Sequence, residues 1–283
     1  MSNSAKLDYQ MGYLTVRQEA TTKIHLSEIS ILLVESTAVS MTAYLLCELI
    51  KKKIKVIFCD EKRNPSSELL PFYGSHDTSI KMRRQIEWSK DDKTAVWTEI
   101  VAEKIRKQAE LLKEHGRSEY RMLNSYIEEL QFGDSTNREG HAAKVYFNAL
   151  FGMDFTRASE NSTNAALNYG YGIILSAFNR EIVANGYSTQ LGLFHDNMFN
   201  PFNLGSDLME PFRPLIDRKV ISMQPEKFEH EEKMKVLAVL NEEVSIGGKK
   251  EFINNAIKIY CKSIFDALND KDPSLIKFYR NEL

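Results

Sequence analysis

Near residue 78 the chain stops reading as short strands and starts reading as helices, and that change constrains its fold more than any other feature. Before it, residues 6–10, 13–17, 23–26 and 29–35 mix β-branched and aromatic side chains between polar breaks, the signature of short strands. A helix is expected over 41–53, with Ser40 as cap and Tyr44, Leu45, Leu49 and Ile50 facing inward, followed by a buried strand at 54–59. The stretch EKRNPSSELLPFYG, 61–74, carries the Pro, Asn, Ser and Gly of a loop joining two domains. Beyond it, helical periodicity covers 80–89, 94–115, 118–130, 136–151, 163–185 and 252–268, with Gly116, Gly152 and Gly186 as C-terminal stops. Runs of strands followed by runs of helices imply an α+β chain of two domains. The expectation is a small β-rich domain over 1–74 and a larger all-α domain over 75–283.

Composition narrows function by what it withholds. The 37 Lys+Arg against 39 Asp+Glu leave a net charge of -2, so the total does not announce a nucleic-acid binder; local clusters would have to. Such clusters are Lys51, Lys52, Lys53 and Lys55; Lys62 and Arg63; Arg83 and Arg84; and Lys104, Arg106 and Lys107. Each alone reads as solvated surface, whereas several on one face of a dimer would track a duplex backbone. Asn168, Tyr169, Gly170, Tyr171 and Gly172 read as helix packing rather than base stacking. Cys47, Cys59 and Cys261 lack metal-ligand spacing and are expected to be buried thiols in a reducing compartment. With no apolar leader in MSNSAKLDYQ and no run long enough for a membrane span, the chain reads as a soluble cytoplasmic protein.

The chemistry concentrates in 191–214, LGLFHDNMFNPFNLGSDLMEPFRP, which sets His195 upstream of Asp207 and Glu210, with Glu139 inside an earlier Arg-Glu-Gly. One imidazole and two or three carboxylates suit a divalent cation that also binds phosphate oxygens. Each residue has a plainer reading. Glu139 lies three after Thr136 and could close a capping box. His195 sits in a loop that Phe194, Met198, Phe199 and Phe202 would pack against a core, with Asp196 or Asn197 as orienting groups. Asp207 and Glu210 share a helical face opposite Leu208, Phe212, Leu215 and Ile216, and Ser206 could cap them at a helix start. Pro211 and Pro214 require that helix to begin near Asp207 or to kink there.

Three blocks, REGHAAKVYFNALFG, ALNYGYGIILSAF and LGLFHDNMFNPFNLGSDLMEPFRPLID, occur in order. They resemble the signature blocks of the CRISPR-associated integrase, the Cas-one endonuclease of spacer acquisition. The head, from KLDYQMGYLTVRQ through IKVIFCDEK, is similar to that family's β-rich domain, and the resemblance weakens only in the C-terminal tail. It implies a β-sandwich-like N-terminal domain that forms a homodimer and a helical domain that holds the active site. The family's metal ligands map onto Glu139, His195 and Glu210, and Asp207 matches a neighbouring acidic position. Many relatives carry Asp where this chain has Glu210, a departure similar to the type II variant. The implied reaction is attack by the 3′-hydroxyl of a short DNA fragment on a phosphodiester of the CRISPR repeat, with Mg²⁺ or Mn²⁺ as cofactor. The implied partners are DNA and a small ferredoxin-like adaptation protein bridging two dimers. A non-catalytic DNA- or protein-binding scaffold and a general metal phosphodiesterase are the alternatives.

Overall fold

The computed structural model describes residues 1–61, 63–71 and 75–281 and divides into two compact units, Met1–His76 and Asp77–Leu283. In the first unit, β1 (Ala5–Gln10) and β2 (Tyr13–Arg17) form a hairpin with β3 (Thr21–His25). Met11 and Gly12 close its two-residue turn at φ 47° and 93°, the left-handed pair that matches strand twist. The short β5 (Val39–Met41) adds in parallel to β1, giving the order β3-β2-β1-β5. A second sheet orders β4 (Ile31–Val34), β6 (Lys55–Cys59) and β7 (Pro65–Leu69), parallel across β4/β6 and antiparallel across β6/β7.

Apolar residues of both sheets close on α1 (Ala43–Lys51): Leu7, Leu14 and Val16 from one sheet, Leu32, Val34 and Val56 from the other, Leu45 and Leu49 from the helix. Local details differ from the sequence reading. Thr42, not Ser40, caps α1, accepting from the Leu45 N–H at 3.2 Å, because Ser40 is already paired in β5. Tyr44 lies 60% exposed, outside the stripe of Leu45 and Leu49. The expected loop over 61–74 contains β7, paired to β6 through Val56↔Leu69 and Ile57↔Glu68; Lys62 and 72–74 fall outside the described residues. Cys47 is exposed, while Cys59 and Cys261 are buried.

The second unit is helical and carries one two-stranded hairpin. Its elements are α2 (Thr78–Glu87), α3 (Lys90–Glu114), α4 (Tyr120–Glu128), α5 (Arg138–Phe151), α6 (Ser162–Ala184), α7 (Asn203–Leu208), α8 (Arg213–Met223) and α9 (His230–Leu237). The hairpin β8 (Glu243–Ile246) and β9 (Lys249–Phe252) precedes α10 (Ile253–Asp270). Helices α3 and α6 form the buried axis. Along α3, Ile100, Val101, Ile105 and Leu112 are fully buried, and along α6 so are Leu167, Ile174, Phe178 and Ile182. At Gly170 of α6 an added Cβ would fall 2.4 Å from Ile216 Cγ2 of α8, so the Asn168–Gly172 stretch serves helix packing. Among the described residues no helix is long and apolar enough to cross a membrane.

Candidate active site

Glu139 opens α5, but not through the capping box its spacing suggested. Asp134 caps the helix, accepting the Arg138 N–H at 2.6 Å and the Glu139 N–H at 3.0 Å, while Thr136 Oγ1 is buried without a hydrogen bond. Asn137 adopts a left-handed φ of 53°, and Gly140 leaves room for its amide, since a Cβ there would meet Asn137 Oδ1 at 2.7 Å. With the cap supplied by Asp134, the Glu139 carboxylate is released toward the interior. There its Oε1 lies 2.5 Å from Lys104 Nζ of α3.

The loop bearing His195 folds around one carboxylate. Asp207 is fully buried near the end of α7 and accepts the backbone N–H groups of Leu193 at 2.6 Å, Phe194 at 3.1 Å and His195 at 3.2 Å. The same carboxylate meets His195 Nδ1 at 2.5 Å, which leaves Nε2 as the ring nitrogen presented to a ligand. Gly192 is a steric requirement of this turn, because a Cβ would lie 2.2 Å from the His195 carbonyl oxygen and 2.8 Å from Asp207 Oδ2. The orienting group is therefore Asp207 rather than Asp196 or Asn197. Asn197 instead holds the loop's shape, with its N–H bonded to Asn203 and its carbonyl accepting from Asn203 Nδ2 at 3.0 Å. Of the expected apolar anchors, Phe194 stacks on Trp97 at 4.7 Å between centroids, whereas Met198 and Phe199 are 87% and 85% exposed. Trp97 also meets the His195 ring edge-on at 5.9 Å.

Asp207 and Glu210 do not start a helix. The prolines break the segment into α7, a 3-10 turn at Glu210–Phe212 and α8, with Pro211 and Pro214 each in a first turn where the missing N–H costs nothing. Phe202, not Ser206, is the residue preceding α7. The break turns Glu210 inward, 4% exposed. Its Oε1 accepts from Arg213 Nε at 2.9 Å, and its Oε2 stands 2.5 Å from Lys104 Nζ yet has no hydrogen bond of acceptable direction.

Four charges thus meet inside the helical unit. Burial works against ionised Glu210, but Lys104 and Arg213 outweigh it and hold its carboxyl below the usual range. Burial likewise opposes the Lys104 ammonium, and Glu210 and Glu139 more than offset it, raising its pKa. The imidazole of His195 is raised chiefly by its bond to Asp207, with the charges of Glu210 and Glu139 also reaching it. Lys104 belongs to the Lys104, Arg106 and Lys107 cluster that reads as solvated surface, but its spacing from Ile100, Val101 and Gln108 puts it on the buried stripe of α3. Lys107 is also buried, beside Glu110 at 2.8 Å and Glu103 at 3.5 Å. Lys55 likewise leaves its basic cluster for a buried pair with Glu68. A cleft of about 760 Å³ opens beside the site, lined among others by Lys90, Lys93, Thr94, Trp97, Phe194 and His195.

Among the described residues no three His, Cys, Asp or Glu side chains gather closely enough to enclose an ion. Glu139 and Glu210 converge on Lys104 instead, and His195 pairs with Asp207. The donors nonetheless suit a hard divalent cation: a cationic group already sits between two carboxylates, one of whose buried oxygens lacks a hydrogen bond.

A family model described as "CRISPR associated protein Cas1" matches residues 1–254. The chain belongs to the Cas1 family. It is 36% identical over 225 residues to the CRISPR-associated endonuclease Cas1 of Neisseria meningitidis serogroup C (strain 8013), covering 79% of this chain and 74% of that relative. Among solved structures it is similar to a casposase bound to integration product, with a TM-score of 0.78 and 17% identity over 95% of this chain and 89% of that one. A Cas6-RT-Cas1–Cas2 complex contains a longer chain of which this Cas1 family member covers 35%, at a TM-score of 0.75, 18% identity and 97% of its own length. At these identities the two structures establish a shared fold.

Proposed function

We propose that this Cas1 family member is the integrase of CRISPR adaptation, a divalent-metal-dependent enzyme that inserts short DNA fragments into the repeat array. The observation that carries the reading is the convergence of the half-buried Glu139 and the buried Glu210, brought from separate elements onto one cationic point, with the charge of both reaching an imidazole fixed by Asp207. It is supported by the likeness to a Neisseria Cas1 endonuclease and to a casposase solved on an integration product.

In this reading Glu139, Glu210 and His195 would hold Mg²⁺ or Mn²⁺, which would supply Lewis-acid stabilisation of charge at the scissile phosphate. Asp207 fixes the imidazole and its tautomer through Nδ1, so that the ring need not reorient. Arg213 keeps Glu210 ionised and aimed. Trp97 and Phe194 form a flat wall beside His195, and Lys90 and Lys93 give the adjoining cleft the positive charge that a DNA backbone needs. The 3′-hydroxyl of the fragment would attack the phosphodiester and displace the 3′-oxygen of the cut repeat strand, so no protein nucleophile is required. The β-rich unit, expected over 1–74, is assigned to dimerisation, and a small ferredoxin-like adaptation protein to the bridging of two dimers. A cytoplasmic location, where the array lies, follows.

The test is a strand-transfer assay with a branched DNA and a supercoiled plasmid bearing the array, in Mg²⁺, Mn²⁺ or chelator. Joining is expected only with metal, and Glu139→Ala, His195→Ala and Glu210→Ala should each abolish it while circular dichroism stays native. Joining at the wild-type rate by all three variants, or in chelator, would overturn the assignment. Salt-sensitive DNA binding without any metal-dependent joining would make the chain a scaffold instead.

A further inference from the structure

Lys104 occupies the point on which the two carboxylates converge. Its Nζ lies 2.5 Å from Glu139 Oε1 and 2.5 Å from Glu210 Oε2, carried there by the buried stripe of α3. A cation in that position solves an electrostatic problem, since two carboxylates aimed at one point without a counter-charge would repel. With Arg213 on the other oxygen of Glu210, two negative charges are matched by two positive ones before any metal enters. Glu210 Oε2 lies against the Lys104 ammonium without a well-directed hydrogen bond, which leaves that oxygen a lone pair to offer another cation.

We propose that Lys104 is a resident counter-ion that holds the metal position closed and must swing aside when a divalent cation binds. The inference rests on the reading of Glu139 and Glu210 as metal ligands. Two consequences follow. The ammonium competes with the metal for the same oxygens, so metal affinity is held down in the free protein. A dication that takes the place of one ammonium leaves excess positive charge, with the displaced ammonium still tethered nearby, and an incoming phosphodiester neutralises it, so metal and DNA bind with positive coupling. The protein would then carry a loaded metal chiefly when DNA is present.

The test measures Mn²⁺ binding to the full chain by electron paramagnetic resonance of the free ion, with and without a short duplex, independently of any joining assay. Lys104→Met and Lys104→Gln should bind Mn²⁺ about tenfold or more tighter than wild type, the scale on which a neighbouring charge shifts cation binding. The gain in Mn²⁺ affinity on adding DNA should be smaller in both variants than in wild type. Glu210→Gln should lose Mn²⁺ binding in either background. Without metal, Lys104→Met should melt below wild type and recover more with Mn²⁺ than wild type does. Unchanged or weaker Mn²⁺ affinity in both Lys104 variants, with Glu210→Gln still abolishing it, would make Lys104 a fixed structural ion and leave the metal assignment standing. A Lys104→Met protein that is unfolded in chelator and not restored by Mn²⁺ would equally overturn the proposal. Binding indifferent to Glu210→Gln would sink the metal assignment, and this inference with it.

Discussion

Asp207 does two things with one carboxylate: it closes a turn through three N–H groups and fixes the ring of His195. Asp207→Asn keeps the shape but turns an amide N–H₂ toward at least one backbone donor. Leaving buried donors unmet costs about 1–3 kcal/mol each, so a drop of that order is expected in urea unfolding. Loss of ring orientation should lower activity about 10–100-fold beyond the stability loss, measured as strand transfer at a temperature where the variant is folded. A second buried acid makes a pH prediction. Burial raises Asp217 from 3.8 to about 6, against the opposing hydrogen bonds of Tyr171 and Tyr146. The native state therefore holds a proton that the unfolded chain has released. Its contribution is full below pH 3.8 and lost as pH rises through about 6. The amount is about 3 kcal/mol at most. Asp217→Asn should flatten the fall in unfolding free energy over that window, and a slope unchanged from wild type would refute the argument. At this scale residue type is legible in the sequence and geometry is not. His195 and Glu210 stood out by residue type, but nothing local showed that Asp134 caps α5 or that Lys104 faces inward between acids from distant segments.

Among the elements, the segment 271–281 that follows α10 is the one the family resemblance covers least, and it lies beyond the matched residues 1–254. Its backbone pairs with β8 through Ser245 and Arg280 at 2.9 and 2.7 Å. From there Tyr279 donates to the Pro211 carbonyl at 3.1 Å and packs on Phe212 at 4.8 Å, while Arg280 reaches the buried Glu103 at 2.7 Å, one residue before Lys104. The tail thus braces both the 3-10 turn of Glu210 and the α3 segment of Lys104. Tyr279→Phe removes only the hydroxyl and should cost about 1–2 kcal/mol of unfolding free energy, because the Pro211 carbonyl is left buried. Strand transfer should fall further than DNA affinity, and equal losses in both would assign the tail to folding alone. Helix periodicity made the long helices legible from sequence. The β7 strand was not, because PSSEL lacks apolar alternation and is defined by its pairing with β6. The prolines announced a break near Glu210, though not that it would turn an acid inward.

For the whole molecule, the change of pattern near residue 78 corresponds to a division into compact units at His76 and Asp77. What composition left open was the sign of the surface that meets a partner, because a net charge of -2 averages opposing regions. Two of the basic clusters partly dissolve into buried pairs at Lys55, Lys104 and Lys107, which no count of charges could reveal. Fewer cations are then left for DNA than the sequence advertises. Duplex affinity should accordingly fall with a log–log salt slope of only a few, about 0.9 per phosphate contacted, in a fluorescence titration between 50 and 200 mM salt. A slope near ten would mean that the buried lysines are available to DNA after all. The turn built around Asp207 has a last consequence for assembly. Because the loop closes on the same carboxylate that aims the imidazole, the turn and the ring's orientation form together, and a copy in which the turn is open presents no fixed imidazole.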